Sequence, residues 1–511
     1  MADKLLQSPK RPLYALAGAF LLAVIHQYLF YGHLPGLAYP LFTIFLYVFM
    51  FVFAKDRMRE FTWFGWLMFT AVILLSLTYV LFYNPLFYAL NLLVIPCLIS
   101  LHMAYKFSAR RLGWGDKRLL WDALDHLVPR SLRHAFGVFR MLKDSMIRHM
   151  GEGQKRVLVQ VLTGLLVALP LVAVVMSLLS SADGIFDHML ASVPSWLDRH
   201  LSFGEGSTRL LWIAVLGLMF FGYLWGFVGF KPYAAELGKG ETADDRLEQR
   251  LGEWADEAVS VKLAPVITAT VLVTMNAVYL LFVYTQFAYL FGAGEGILPE
   301  GLSYAEYARS GFVQLVLVTG INFTLMLVVL LLGEQTPGKL HRWNQGMLYI
   351  LVACSGVMLY SAYIRLVMYE ETYGYTYTRF LVHAFMIFLG LLLLIAALRI
   401  HMTRIPLARC YIVLGLCAYV LINYIGMDTI IADRNIERYH VSGNMDIYYL
   451  QGLSADAVPR LIEFAQDTYP ELNPYLRERI TEMKSVKEPW QSFNLAEYRA
   501  QQALEDYFDG R

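Results

Sequence analysis

The feature that most constrains this chain is a succession of about eleven apolar runs, each roughly 18–25 residues long, near 13–32, 36–54, 62–82, 85–104, 157–179, 208–230, 263–291, 311–333, 346–369, 376–399 and 407–427. A run of that length crosses the hydrocarbon of a bilayer as one α-helix, and within lipid the backbone must satisfy its own hydrogen bonds. Only 16% of the 511 residues are charged and 58% are hydrophobic, whereas about 25% of a soluble protein is charged. The predicted fold class is therefore all-α, a polytopic transmembrane helical bundle of about eleven spans with a small helical C-terminal extension. Lys4, Lys10 and Arg11 precede the first run, which is too long for a signal peptide and lacks a small-residue cleavage site, so it reads as a retained helix. Cys97, Cys354, Cys410 and Cys417 lie in apolar runs without metal-ligand spacing and read as packing residues.

Charge is informative by position, because 42 basic and 41 acidic residues leave a net charge of only +1. With the N-terminus inside, alternation places Lys55, Arg57 and Arg59, the segment 105–156, the loop 231–262, Lys339 and Arg342, and Arg399 and Arg404 on the cytoplasmic side. Each of these connections obeys the positive-inside rule, and the odd span count puts the tail outside. Four regions follow: four spans in 1–104, a basic cytoplasmic amphipathic segment in 105–156, a seven-span core in 157–427 and an extracytoplasmic helical tail in 428–511. In the basic segment Leu132, Phe136, Phe139, Leu142, Met146 and Met150 recur at helical spacing opposite Arg133, Arg140, Lys143 and Arg148. That pattern suits either a solvated connector or a helix lying on an anionic leaflet or docking a partner. The tail offers a second partner surface, with Ser454 a candidate N-cap ahead of an amphipathic run.

Ionisable residues inside or at the edge of hydrocarbon are the strongest pointer to a site, since a central arginine costs roughly 2.5–3.5 kcal/mol unless it snorkels, pairs or is used. The stretch Tyr363–His383 joins two apolar runs through a tight polar turn and carries Arg365, Arg379 and His383. Two outward loops end alike, with Tyr307 and Arg309 before the eighth span and Tyr377 and Arg379 before the tenth. An arginine in the first turn of a helix opposes the helix dipole unless an anion compensates. Glu306, Glu370 and Glu371 are near enough to act as that anion, giving a plain interfacial anchor. The alternative is an outward site for phosphate, carboxylate or a lipid headgroup, with Arg309, Arg365 and Arg379 as charge partners, Tyr307, Tyr369 and Tyr377 as walls, and Glu306 and Glu371 holding the arginines when it is empty. Asn276, Gln286, Gln314 and Asn322 in the seventh and eighth spans either face that cavity together with His383 or make interhelical hydrogen bonds. His26, Asn91 and His102 read as isolated packing or interfacial residues, and Pro96, Pro170 and Pro265 as the positions of kinks.

No P-loop, dinucleotide fingerprint, zinc-protease motif or acidic metal cluster is present in the sequence. The expectation is accordingly no cofactor, no metal, no catalytic set and no nucleic-acid partner; the partners are the bilayer, an anionic lipid or small anion, and proteins contacting 106–156 or 428–511. The segments 304–312, Arg365 to Arg379 and 435–461 resemble a bacterial membrane-protein family of unknown function numbered four-one-seven-three, over about 260–465. The resemblance implies a bacterial cytoplasmic membrane, ties the tail to the membrane core as one unit capping the outward hairpins, and implies no activity. The functional expectation is a non-enzymatic membrane protein that binds an anionic solute or headgroup at the outer side, as transporter or sensor. A scaffold that only docks partners, and a transferase acting on a lipid-linked substrate, are the alternatives.

Overall fold

A computed structural model of the chain describes residues 11–108, 112–135, 138, 205–228, 263–286, 312–333, 338–402, 404–485 and 489–509. Among them are sixteen α-helices and no strand longer than an isolated bridge. Ten coincide with predicted spans: α1 (Arg11–Phe30), α2 (Ala38–Phe53), α3 (Trp63–Leu81), α4 (Pro85–Phe107), α6 (Glu205–Val228), α7 (Pro265–Gln286), α8 (Phe312–Leu332), α9 (Lys339–Tyr373), α10 (Tyr377–His401) and α11 (Leu407–Tyr424). Nine of these are long and apolar enough to cross a membrane, and α2 is shorter. The fifth predicted span, the acidic loop 231–262, and the amphipathic pattern beyond Val138 lie outside the described residues. Of the basic segment, α5 (Arg118–Asp125) and a π-helical turn, His126–Arg130, are described.

Local chemistry sets several boundaries. Thr62 caps α3 through Gly65 N–H at 3.2 Å, and Asn84 caps α4 by accepting from Leu86 and Phe87, with Pro85 pre-set in the first turn. Pro265 likewise opens α7 rather than kinking a longer helix, because its missing N–H costs nothing there. Helix α9 runs 35 residues, well beyond the predicted 346–369. At 1.5 Å per residue it is about 52 Å long, so its polar ends pass both faces of a hydrocarbon layer about 30 Å thick. A reading based on apolar runs stops where those polar ends begin.

The helices pack as two bundles. In the first, α1 to α4 and α6 enclose Leu22, Met50, Phe64, Leu75, Ile95 and Leu224. In the second, α7 to α10 enclose Leu272, Leu315, Met326, Leu351, Met358 and Leu393. Helix α11 leans on both, against α3 and α10. The tail folds as α12 (Met427–Ser442), α13 (Ile447–Gln451), α14 (Val458–Asp467), α15 (Asn473–Ser485) and α16 (Leu495–Asp509) around a third core that includes Phe87 of α4. Tyr377, Phe380 and Leu381 of α10 also pack against that core.

Contacts show that the connections gather at two opposite ends. At one end the tail bonds the α1–α2 loop, the α3–α4 turn and the α9–α10 turn: Ser492 Oγ donates to Leu34 O (3.0 Å), and Asn494 Nδ2 donates to Tyr79 O and Phe82 O (both 2.9 Å) while its Oδ1 caps α16. Gly36 is packed so closely on Ser492 that a Cβ would lie 2.3 Å from its carbonyl carbon. At the other end Arg59 donates to Leu112 O (2.8 Å), Arg409 stacks over Trp114, and the fully buried Lys106 donates to the carbonyls of Arg59 and Glu60 with its ammonium 3.6 Å from the Phe61 ring centre. Lys106 thus closes α4 rather than belonging to a solvated basic segment. Lys55, Arg57, Lys339, Arg342 and Arg399 share this second end, which is the basic one.

Candidate functional site

The α9–α10 turn collects most of the described candidates. It reverses through Gly374, whose φ of +83° and ψ of 173° fall where only glycine sits comfortably. A Cβ at Gly374 would stand 2.7 Å from Asn435 Oδ1 and 3.2 Å from Arg438 Nη2. That proximity lets the tail read the turn backbone: Tyr375 N–H donates to Asn435 Oδ1 and Asn435 Nδ2 donates back to Tyr375 O, each at 2.9 Å, while Arg438 donates to Thr372 O at 3.2 Å.

Charges at the turn pair differently from the simplest expectation. Glu370, buried in the last turns of α9, faces His383 Nε2 at 2.7 Å. Glu371 is exposed. Arg379 donates to Gly374 O and lies 4.2 Å from the Tyr369 ring centre, and no carboxylate among the described residues pairs with it. Arg438 flanks the other side of Gly374 in the same condition. Thr376 gives α10 no side-chain cap, so two guanidinium charges and a helix N-terminus converge on one turn. Arg365 is buried about two turns down α9.

Beside this turn lies a group of residues that spacing did not single out. Asp428, 1% exposed in the first turn of α12, accepts from Tyr377 OH of α10, from Asn84 Nδ2 of the α3–α4 turn and from Ser454 N–H of the tail at 3.0 Å. One carboxylate therefore joins both bundles and the tail. Ser454 serves this network through its backbone and makes no side-chain cap. Below it, Asn91 donates to Thr78 Oγ1 (3.1 Å) and Asn423 Oδ1 (2.8 Å) and accepts from Tyr419 OH (2.8 Å), so Asn91 is satisfied but not isolated. The Asn84-Pro85 pair is a recognisable capping signal, but nothing in the sequence says that its free amide reaches a carboxylate 344 residues away.

Asp456 accepts from Tyr83 N–H at 2.9 Å. Burial, assisted by the charge of Asp428, pushes its carboxyl up to about 6. The native state therefore holds this proton more tightly than the unfolded chain, so its stabilisation is complete below about pH 3.8 and is lost as pH rises through 6. We expect the melting temperature of the wild type to fall relative to Asp456→Asn between pH 4 and pH 7, by the equivalent of at most about 3 kcal/mol for two pK units. A constant offset across thermal scans at these pH values would show that the proton is not linked to folding.

The other candidates are placed elsewhere. Asn322 donates to Ser355 Oγ (3.0 Å) and Asn276 to Met347 O (2.8 Å), both interhelical bonds within the second bundle, and Ser355 lies ten residues, about 15 Å of helix, from Arg365. Gln286 ends α7 and Gln314 is exposed. Glu306, Tyr307 and Arg309 lie outside the described residues.

Residues 69–464 match the family model described as "Domain of unknown function (DUF4153)". No curated protein and no solved structure matches the chain. The family number differs from the four-one-seven-three of the motif resemblance, and the match begins in α3 rather than near residue 260. It takes in Asn84, Gly374, Arg379, Asp428 and Asp456 together.

Proposed function

The chain belongs to the DUF4153 family, which carries no activity with it, and from its geometry we propose that it is a multi-pass membrane protein that senses an anionic group at the turn around Gly374. The basic end of the bundles faces the cytoplasm in this reading, as the positive-inside rule requires, and the tail faces outward. The membrane would be the bacterial inner membrane. One observation carries the proposal: Glu370, the buried carboxylate of the turn, is taken by His383, which leaves Arg379 and Arg438 without a counter-charge among the described residues at a helix N-terminus. A phosphate or carboxylate, free or on a lipid headgroup, would supply it, with Tyr369 as a wall. Arg365 and His383 lie behind that turn, and Glu306, Tyr307 and Arg309 would extend the site from the neighbouring loop.

Sensing is favoured over transport because the residues that hold the turn also hold the tail. An anion at Arg379 pulls on Gly374 and Tyr375, hence on Asn435 of α12, and α12 bonds the first bundle through Asp428. We expect inorganic phosphate or phosphatidylglycerol to raise the melting temperature of the purified protein in detergent, and this response to vanish in Arg379→Ala but persist in Arg57→Ala, whose side chain is exposed at the far end. Equal responses of the two variants would remove the outer anion site. Arginine-dependent flux of a solute into proteoliposomes would instead establish a transporter.

A further inference from the structure

At the basic end of the second bundle the inner ends of α7 to α10 do not close on one another. They leave a cavity of about 50 Å³ walled by Val329, Leu330, Leu348 and Ile400, with His341, Asn344, Gln345 and Arg399 among its polar lining. A single water needs about 10–15 Å³ of such space, so the cavity holds about three to five water-sized atoms, a range that takes in the oxygens of a phosphate. No carboxylate among the described residues lines it.

Its polar groups are unequally used. Gln345 Nε2 lies 3.1 Å from His341 Nε2 and donates to Ile400 O at 3.5 Å. Asn344 is 8% exposed; its Nδ2 donates to Pro265 O at 3.1 Å, which fixes the amide so that Oδ1 is the remaining acceptor, and that oxygen is buried without a donor among the described residues. An acceptor left so costs about 1–3 kcal/mol. Arg399 is half-buried and forms no ion pair among the described residues. A cation and an orphaned acceptor in one cavity call for a ligand that brings negative charge and a hydroxyl together.

We propose that this cavity is a second, inner-side site for a hydroxyl-bearing phosphate, held by Arg399 and His341 with Asn344 Oδ1 accepting its hydroxyl. Asn344 and Tyr373, beside the Gly374 turn, are 29 residues apart on α9, about 44 Å of helix, which matches the ~40–45 Å thickness of a bilayer with its headgroups. The cavity therefore lies at headgroup depth in the leaflet opposite the Gly374 turn, and the group arrives on a phosphatidylglycerol or as free phosphate. It is independent of the outer site.

The test uses the full chain in detergent, with Arg379→Ala as background so that the outer turn does not contribute. Melting temperature is measured with added inorganic phosphate, phosphatidylglycerol or phosphatidylcholine. Stabilisation by about 2 °C or more with phosphatidylglycerol but not phosphatidylcholine or phosphate identifies a headgroup, and stabilisation with phosphate identifies the free anion. Either must disappear in Arg399→Gln and persist in Arg342→Gln, an exposed arginine in the α9 turn that carries His341 and Asn344 but not itself lining the cavity. Because Arg399 has no ion-pair partner among the described residues to lose, the variant should fold, and its unliganded melting temperature checks this. No response to any of the three, or an undiminished response in Arg399→Gln, overturns the proposal.

Discussion

Asp428→Ala is expected to lower stability by about 3–5 kcal/mol, because it strips the acceptor from three donors that are then left in a buried junction. Two of those donors come from different bundles and the third from the tail, so the loss should appear as separation rather than general softening. Asn84 keeps its role as the α4 cap, so the transmembrane helices themselves should survive. The measurement is chemical denaturation in detergent read beside hydrogen exchange over α12 to α16. Asp428→Asn retains an acceptor but not the charge and should lose roughly half as much, since hydrogen bonds to charged groups are worth about twice neutral ones. A double-mutant cycle with Asn84→Ala should show coupling of about 1–3 kcal/mol. Additive losses with an unchanged exchange pattern in the tail would mean that Asp428 is not the joint between the parts.

Gly374→Ala is the second large effect, and it acts through the backbone. The observed φ and ψ cost a side-chain-bearing residue about 1–3 kcal/mol. The new methyl also meets Asn435 Oδ1 at 2.7 Å, well inside contact distance. Asn435 cannot retreat without releasing its bonds to Tyr375 N–H and O, which adds about 1 kcal/mol for each. We expect a total of about 3–5 kcal/mol, with faster exchange at the Tyr375 and Tyr377 amides and reduced anion response at Arg379. Asn435→Ser in the Gly374→Ala background should recover part of the loss by opening space for the methyl. A Gly374→Ala protein with wild-type stability and exchange would show that the turn is not what couples α10 to the tail.

How far the sequence carries differs between parts of the molecule. Membrane-span detection succeeds wherever a run is apolar throughout, as for α3, α8 and α10, and shortens α9, whose ends carry Lys339, His341, Glu370 and Glu371. At the site, the cost of placing Arg365, Arg379 and His383 near hydrocarbon singles out the Tyr363–His383 stretch as a candidate. The pairing does not follow from it: two glutamates stand within reach of Arg379, yet Glu370 faces His383 and Glu371 faces water. Helical spacing puts Tyr369 on the face of Arg365 and Glu370 about 140° away from it on α9, but says nothing of which residue α10 presents to either.

What the amino-acid sequence determined by itself is the all-α membrane architecture and the segregation of basic connections to one end. Both follow from one-dimensional quantities, the length of apolar runs and the charge of the segments between them, because lipid forces each run to satisfy its own backbone. Only the tertiary structure decided that Asp428 joins Asn84, Tyr377 and Ser454, that Gly374 lies under Asn435, and that the basic ends of α7 to α10 leave a lined cavity. Those are contacts between residues tens to hundreds of positions apart, selected by how helix faces meet and which buried polar groups find partners, and the local pattern of residues does not encode that choice.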